Sequence, residues 1–260
     1  MGGRHHQAGF GHAGLGRPTV VVRVRPRIAE EEEANEGCVV AVRGTRVLLP
    51  EGGEAARDRE LAFDRVYDDA AARYGPGEAQ DVLFRELVAP LAEGTLRGYD
   101  ACFLTCGANG SGKTYTLLGT EDAPGLLLRA TEHLLDASQH LPDIRVFLSV
   151  LEVTHTEVLR DLLRPTSSKC LSGQSDLSLL EAEVVDHPLM VLEHPTLGTF
   201  VSGLSEALCY SVADVRELLE GCARERALSA VSVADLSCSH VLYTLRLRHA
   251  TADAGLGLGD

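Results

Sequence analysis

Eight consecutive residues have the types and spacing to hold a polyphosphate: Gly107, Ala108, Asn109, Gly110, Ser111, Gly112, Lys113 and Thr114. Glycines without a Cβ let a loop fold tightly and turn successive backbone N–H groups towards one anion. Lys113 is then placed to reach β- and γ-phosphate oxygens, and the Thr114 hydroxyl to join the coordination of a Mg²⁺ ion bridging them. The pattern G-x-x-x-x-G-K-[ST] carries weight only where a strand enters the loop and a helix leaves it. Residues 101–105 are an apolar run that reads as that strand, and no helix breaker follows Lys113 until Gly119. The competing reading is a glycine-rich loop that binds nothing.

The elements that must position this loop can be read from periodicity. Residues 78–96 carry Val82, Leu83, Leu87, Val88, Leu91 and Leu96 at helical spacing, which predicts a core-facing helix leading towards the loop strand. Residues 126–135 repeat that spacing and predict a helix on the far side of the loop. Residues 144–153, IRVFLSVLEV, read as a buried strand, and 158–163 as a short helical turn. Before the loop, strands are expected at 19–27, 38–42, 45–49 and 61–66, with Gly44 turning between the second and third. After it, 189–193 and 199–201 read as a hairpin. Ser211 followed by Asp214 reads as a cap opening a helix through Cys222, and 240–247 alternates as a strand. The Gly- and His-rich residues 1–17 read as a disordered leader and 251–260 as a disordered tail, bracketing one folded domain at 18–250. Residues 165–186 read as a surface insertion, and Glu30 to Glu33 as a solvated loop.

Composition narrows the classes. A chain of 260 residues with 45% hydrophobic content can bury a sizeable core. No apolar run is long enough to span a membrane, and the first residues lack an apolar signal core, so a soluble intracellular protein is expected. The formal charge of -14 argues against a general nucleic-acid binder, which needs clustered Lys and Arg to neutralise phosphates. Only two lysines occur, Lys113 and Lys169, and one of them sits in the loop. Seven cysteines without paired zinc-type spacing fit reduced, mostly buried thiols.

Blocks flanking the loop carry a family resemblance. VRVRP (residues 22–26), FDRVY (63–67), GANGSGKTYTLLG (107–119) and SVLEVTHTEVLRDLL (149–163) occur in the order and spacing of the kinesin motor domain. Residues 189–204 and 221–240 fit the segment that ends in that family's N-x-x-S-S-R-S-H switch. The resemblance implies an α/β phosphate-loop NTPase fold, with a mixed central β-sheet flanked by helices on both faces and the C-terminal part of the fold missing. It implies ATP or ADP and Mg²⁺ as ligands, tubulin in the microtubule as partner, and a cytoplasmic, cytoskeletal location. No heptad run is present, so a monomer is expected. By the same resemblance Arg23, Arg25 and Pro26 flank the base, while Ser237 approaches the γ-phosphate and Mg²⁺.

The switch also departs from the family. Val233 stands in place of Asn, Leu236 in place of the first Ser and Cys238 in place of Arg; Ser237, Ser239 and His240 are kept. An isobutyl group cannot orient water and a thiol cannot form a charge-assisted ion pair. Beside a microtubule motor domain, the residues therefore leave open a catalytically impaired, motor-derived binding or regulatory module, or a truncated product. A different phosphate-loop enzyme would want a guanine-reading N-K-x-D or an arginine-rich lid, and neither occurs.

Overall fold

The computed structural model describes residues 17–34, 40–49, 59–71, 74–141, 143–164, 189–195, 198–229 and 239–249. The expected leader (except Arg17), tail and insertion lie outside these residues, as does Ser237 with Val233, Leu236 and Cys238. The chain forms two compact units, Met1–Gly75 and Pro76–Asp260.

In the first unit, β1 (Val21–Val24) runs parallel to β5 (Arg65–Asp68). Strands β2 (Ala41–Arg43), β3 (Arg46–Leu49) and β4 (Arg59–Ala62) form an antiparallel meander. The single strand expected at 61–66 is thus two strands in two sheets, and the crossing point is visible in the hydrogen bonds. The Phe63 N–H still donates to Thr45 at 2.9 Å, whereas the Asp64 N–H donates to Val20 at 3.0 Å. The Asp64 carboxylate in turn accepts from the Val20 N–H at 2.8 Å and pairs with Arg17. The acidic run expected as a loop forms a short helix, α1 (Ala29–Glu33). Glu31 closes its first turn by accepting from the Ile28 N–H at 3.1 Å.

In the second unit, the helix expected at 78–96 extends over 76–96 in three parts: α2 (Pro76–Leu83), a π-helical turn (Phe84–Val88) and α3 (Ala89–Leu96). Pro90 has no N–H to give the carbonyl four residues back, and the ladder widens beside it, with Ala89 donating to Phe84 five residues back. After the phosphate loop come α4 (Lys113–Leu117), α5 (Leu126–Gln139), β6 (Ile144–Val153) and β7 (Leu159–Asp161). Then follow β8 (Met190–His194) and β9 (Gly198–Ser202), which form the expected hairpin, and β10 (Ala207–Cys209), α6 (Val212–Ser229) and β11 (His240–His249). Strand β6 is central: β11 pairs antiparallel along its whole length, and β10 and β7 share its other edge.

The helical turn expected at 158–163 is the strand β7. Glu157 adopts φ 63, and the Thr154 hydroxyl accepts from the Val158 N–H at 3.1 Å, so the chain reverses tightly onto β6. Helix α6 opens on the expected cap. Ser211 Oγ accepts from the Asp214 N–H at 3.2 Å, while Asp214 accepts from the Ser211 N–H at 3.0 Å. The core lies where α5 and α6 cover β6: Leu127, Leu128, Val215, Leu219 and Cys222 pack with Leu148 and Val150.

Candidate functional site

The phosphate loop is built by three glycine conformations and one lysine. Gly107, Gly110 and Gly112 have φ of 158°, 76° and 91°; at Gly112, the N-cap of α4, any other side chain would be strained. The Ser111 N–H closes a turn onto Ala108 at 3.2 Å, and the Thr116 N–H returns to Gly112 at 2.8 Å. Lys113 Nζ donates to the carbonyls of Gly107 and Ala108, each at 2.8 Å, which folds the side chain back over the loop. Among the described residues, the backbone N–H groups of Asn109, Gly112, Lys113 and Thr114 donate to no protein acceptor. Unspent backbone donors in a glycine-rich loop that also carries an ammonium fit a polyphosphate. The exposed Thr114 hydroxyl, on the residue that follows Lys113, suits a hard cation carried in with the phosphates.

The strand expected before the loop is not formed. Residues 101–107 have no ladder partner among the described residues, and Leu104 is 83% exposed. Its apolar content marks it for pairing, but pairing depends on a neighbour supplied from elsewhere in a sequence, which composition cannot register. The helix after the loop is present but short, because Gly119 turns to φ 73 and pairs with Pro124.

Arg23, Arg25 and Pro26 lie in the first unit. Arg23 Nε pairs with Asp69 at 2.7 Å, both side chains largely buried. Arg25 forks onto Glu31 at 2.5 and 2.8 Å and donates to the Pro26 carbonyl at 2.9 Å. These bonds fix both guanidiniums, and the fork holds the partly buried Glu31 carboxyl well below its usual range, at about 2.

A second polar centre was not legible in the sequence. The Glu152 side chain on β6 is buried, and its Oε1 accepts from Arg226 Nε at 2.8 Å and from the Ser239 hydroxyl at 2.7 Å. Arg226 Nη2 also donates to Ser239 at 2.8 Å, closing a triangle between β6, α6 and the residue that precedes β11. Glu152 Oε2 sits 2.9 Å from Arg160 Nη1 at an angle that makes no hydrogen bond. A glutamate inside an apolar strand was the available signal. Cys102 and Cys106 are exposed, against the expectation of mostly buried thiols, while Cys209 and Cys222 are buried.

The family model for the kinesin motor domain matches residues 23–256. The chain belongs to the kinesin motor-domain family. Human kinesin-like protein KIF13B is 29% identical over 253 residues, spanning 92% of this chain and 13% of that protein. Human StAR-related lipid transfer protein 9 is 31% identical over 252 residues, spanning 91% of this chain and 5% of that protein. Among solved structures, a KIF14 segment with ADP in complex with a microtubule superposes at a TM-score of 0.71 with 29% identity. It covers 88% of this chain and 61% of its own. A fast kinesin gives 0.69 with 25% identity. The fold is the α/β kinesin motor fold, and the chain spans only 13% and 5% of the length of these two curated relatives.

Proposed function

We propose that this chain binds Mg-ATP and Mg-ADP at residues 107–114 and acts as a microtubule motor domain, hydrolysing ATP in step with movement. The observation that carries the reading is the loop, where the Lys113 ammonium folds back onto the Gly107 and Ala108 carbonyls and the N–H groups of Asn109, Gly112, Lys113 and Thr114 have no protein acceptor among the described residues. Gly107, Ala108, Asn109, Gly110, Ser111 and Gly112 hold the phosphates through their backbone. Lys113 gives up the Gly107 and Ala108 carbonyls for phosphate oxygens, exchanging two neutral acceptors for charged ones. Thr114 and Ser237 would hold Mg²⁺, which neutralises charge that develops on the transferring phosphoryl group. In this reading Arg23, Arg25 and Pro26 flank the base, and the ion pairs Arg23–Asp69 and Arg25–Glu31 hold the two guanidiniums in place. The partner in this reading is tubulin, as in the KIF14 structure with a microtubule.

A second reading rests on Val233, Leu236 and Cys238: a motor-derived module that binds nucleotide or tubulin without turnover. Microtubule-stimulated ATP hydrolysis separates the two. Motor activity requires turnover that rises with added microtubules and disappears in Lys113→Ala. Saturable Mg-nucleotide binding with no turnover at any microtubule concentration supports the second reading instead.

A further inference from the structure

Helix α4 carries Lys113 and Thr114 and has only five residues, too few to be stable alone. Its carbonyls near the C-terminal end need partners from elsewhere, because Gly119 turns the chain away. One such partner comes from α2. Gln80 is fully buried, and its Nε2 donates to the Tyr115 carbonyl at 2.8 Å, across 35 positions of sequence. The donor is itself anchored, since Arg129 of α5 pairs with the adjacent Asp81 and donates to the Pro124 carbonyl at 2.8 Å.

We infer that Gln80 is a positioning residue for nucleotide binding: its amide fixes the short helix that presents Lys113 and Thr114, without touching the ligand. The inference rests on the nucleotide reading above. A buried carboxamide reaching a backbone carbonyl gives direction as well as energy, because a shift of α4 along or about its axis breaks the bond. Without it the Tyr115 carbonyl loses this donor, and α4 loses the side-chain bond that ties it to α2. A shift of α4 moves the Lys113 ammonium and the Thr114 hydroxyl together. Gln80→Met keeps length and volume and removes the donor.

The test compares wild type, Gln80→Met, Lys113→Ala and Val146→Ala, the last a core truncation in a cluster without α4 residues. Fluorescent ADP with Mg²⁺ is titrated into each, thermal midpoints are recorded, and amide exchange is followed at Thr116 and Leu118. These two N–H groups donate to Gly112 and Thr114. The expected result is about a tenfold weaker Kd for Gln80→Met, with faster exchange at both amides. Val146→Ala should keep its Kd within about twofold at an equal or lower midpoint. Unchanged affinity in Gln80→Met, or an equal loss in Val146→Ala, overturns the inference. If wild type itself binds no ADP, the nucleotide reading fails, and the exchange rates still decide whether Gln80 holds α4; unchanged exchange would overturn that too.

Discussion

The Glu152 carboxylate accepts from Arg226 Nε at 2.8 Å, joining the middle of the sheet to the last part of α6 from a position only 2% exposed. A buried carboxylate of this kind is tolerated because Ser239, Arg226 and Arg160 surround it. Glu152→Ala removes a carboxylate that pairs with two guanidiniums, those of Arg160 and Arg226. Since both remain about a quarter exposed, the expected loss is near the low end for a broken buried pair, about 3 kcal/mol. Urea unfolding measures it.

The same group makes stability depend on pH. Burial alone pushes the Glu152 carboxyl up, but the Ser239 hydroxyl, Arg226 and Arg160 together hold it below its ordinary value of 4.5. A carboxyl with a lowered folded pKa contributes fully above its unfolded value and loses that contribution as pH falls through the folded one. The stability gap between wild type and Glu152→Gln should therefore be constant above about pH 5 and narrow below about pH 4. Thermal midpoints across that range give the answer; a gap that widens in acid contradicts the assignment.

Two glycines should respond oppositely to alanine. A Cβ on Gly125 would lie 2.4 Å from the Leu117 carbonyl oxygen, a backbone atom that cannot step aside. Gly125→Ala should destabilise by about 2 kcal/mol, as overpacked sites do. Gly221 lies inside α6 with nothing within 4 Å of a built Cβ, so Gly221→Ala should stabilise by about 0.5–1 kcal/mol through helix propensity. Denaturant midpoints of the pair test both signs.

Thiol reactivity should divide by position. Burial, then the Asp161 carboxylate, pushes the Cys222 thiol up to about 11, and burial also raises that of Cys209. Cys102 and Cys106 are exposed beside the loop. Alkylation of the folded chain, mapped by peptide mass, should label the exposed pair at least about tenfold faster than Cys222.

Much of the second unit was legible because its signals are local. The apolar stripe over 126–135, the β-branched run 144–153, and Ser211 with Asp214 each specify an element within a few residues. The failures are nonlocal. The switch of sheets at Asp64 depends on Val20, far back in the chain, and β7 forms because β6 offers an edge, whatever the helical propensity of its residues. At the site, the loop residues were readable because phosphate chemistry dictates their types. Gln80 was not, since a buried glutamine in an amphipathic helix looks like any polar residue until its acceptor is known. Glu152 was hidden likewise, its partners lying on α6 and before β11.

Equilibrium binding of fluorescent ADP to the chain, with and without Mg²⁺ and beside Lys113→Ala, tests the central claim most directly. Nucleotide binding at residues 107–114 predicts saturable, Mg-dependent binding that weakens at least about a hundredfold when the Lys113 ammonium is removed. Wild-type binding that is absent, indifferent to Mg²⁺ or retained in Lys113→Ala would contradict it.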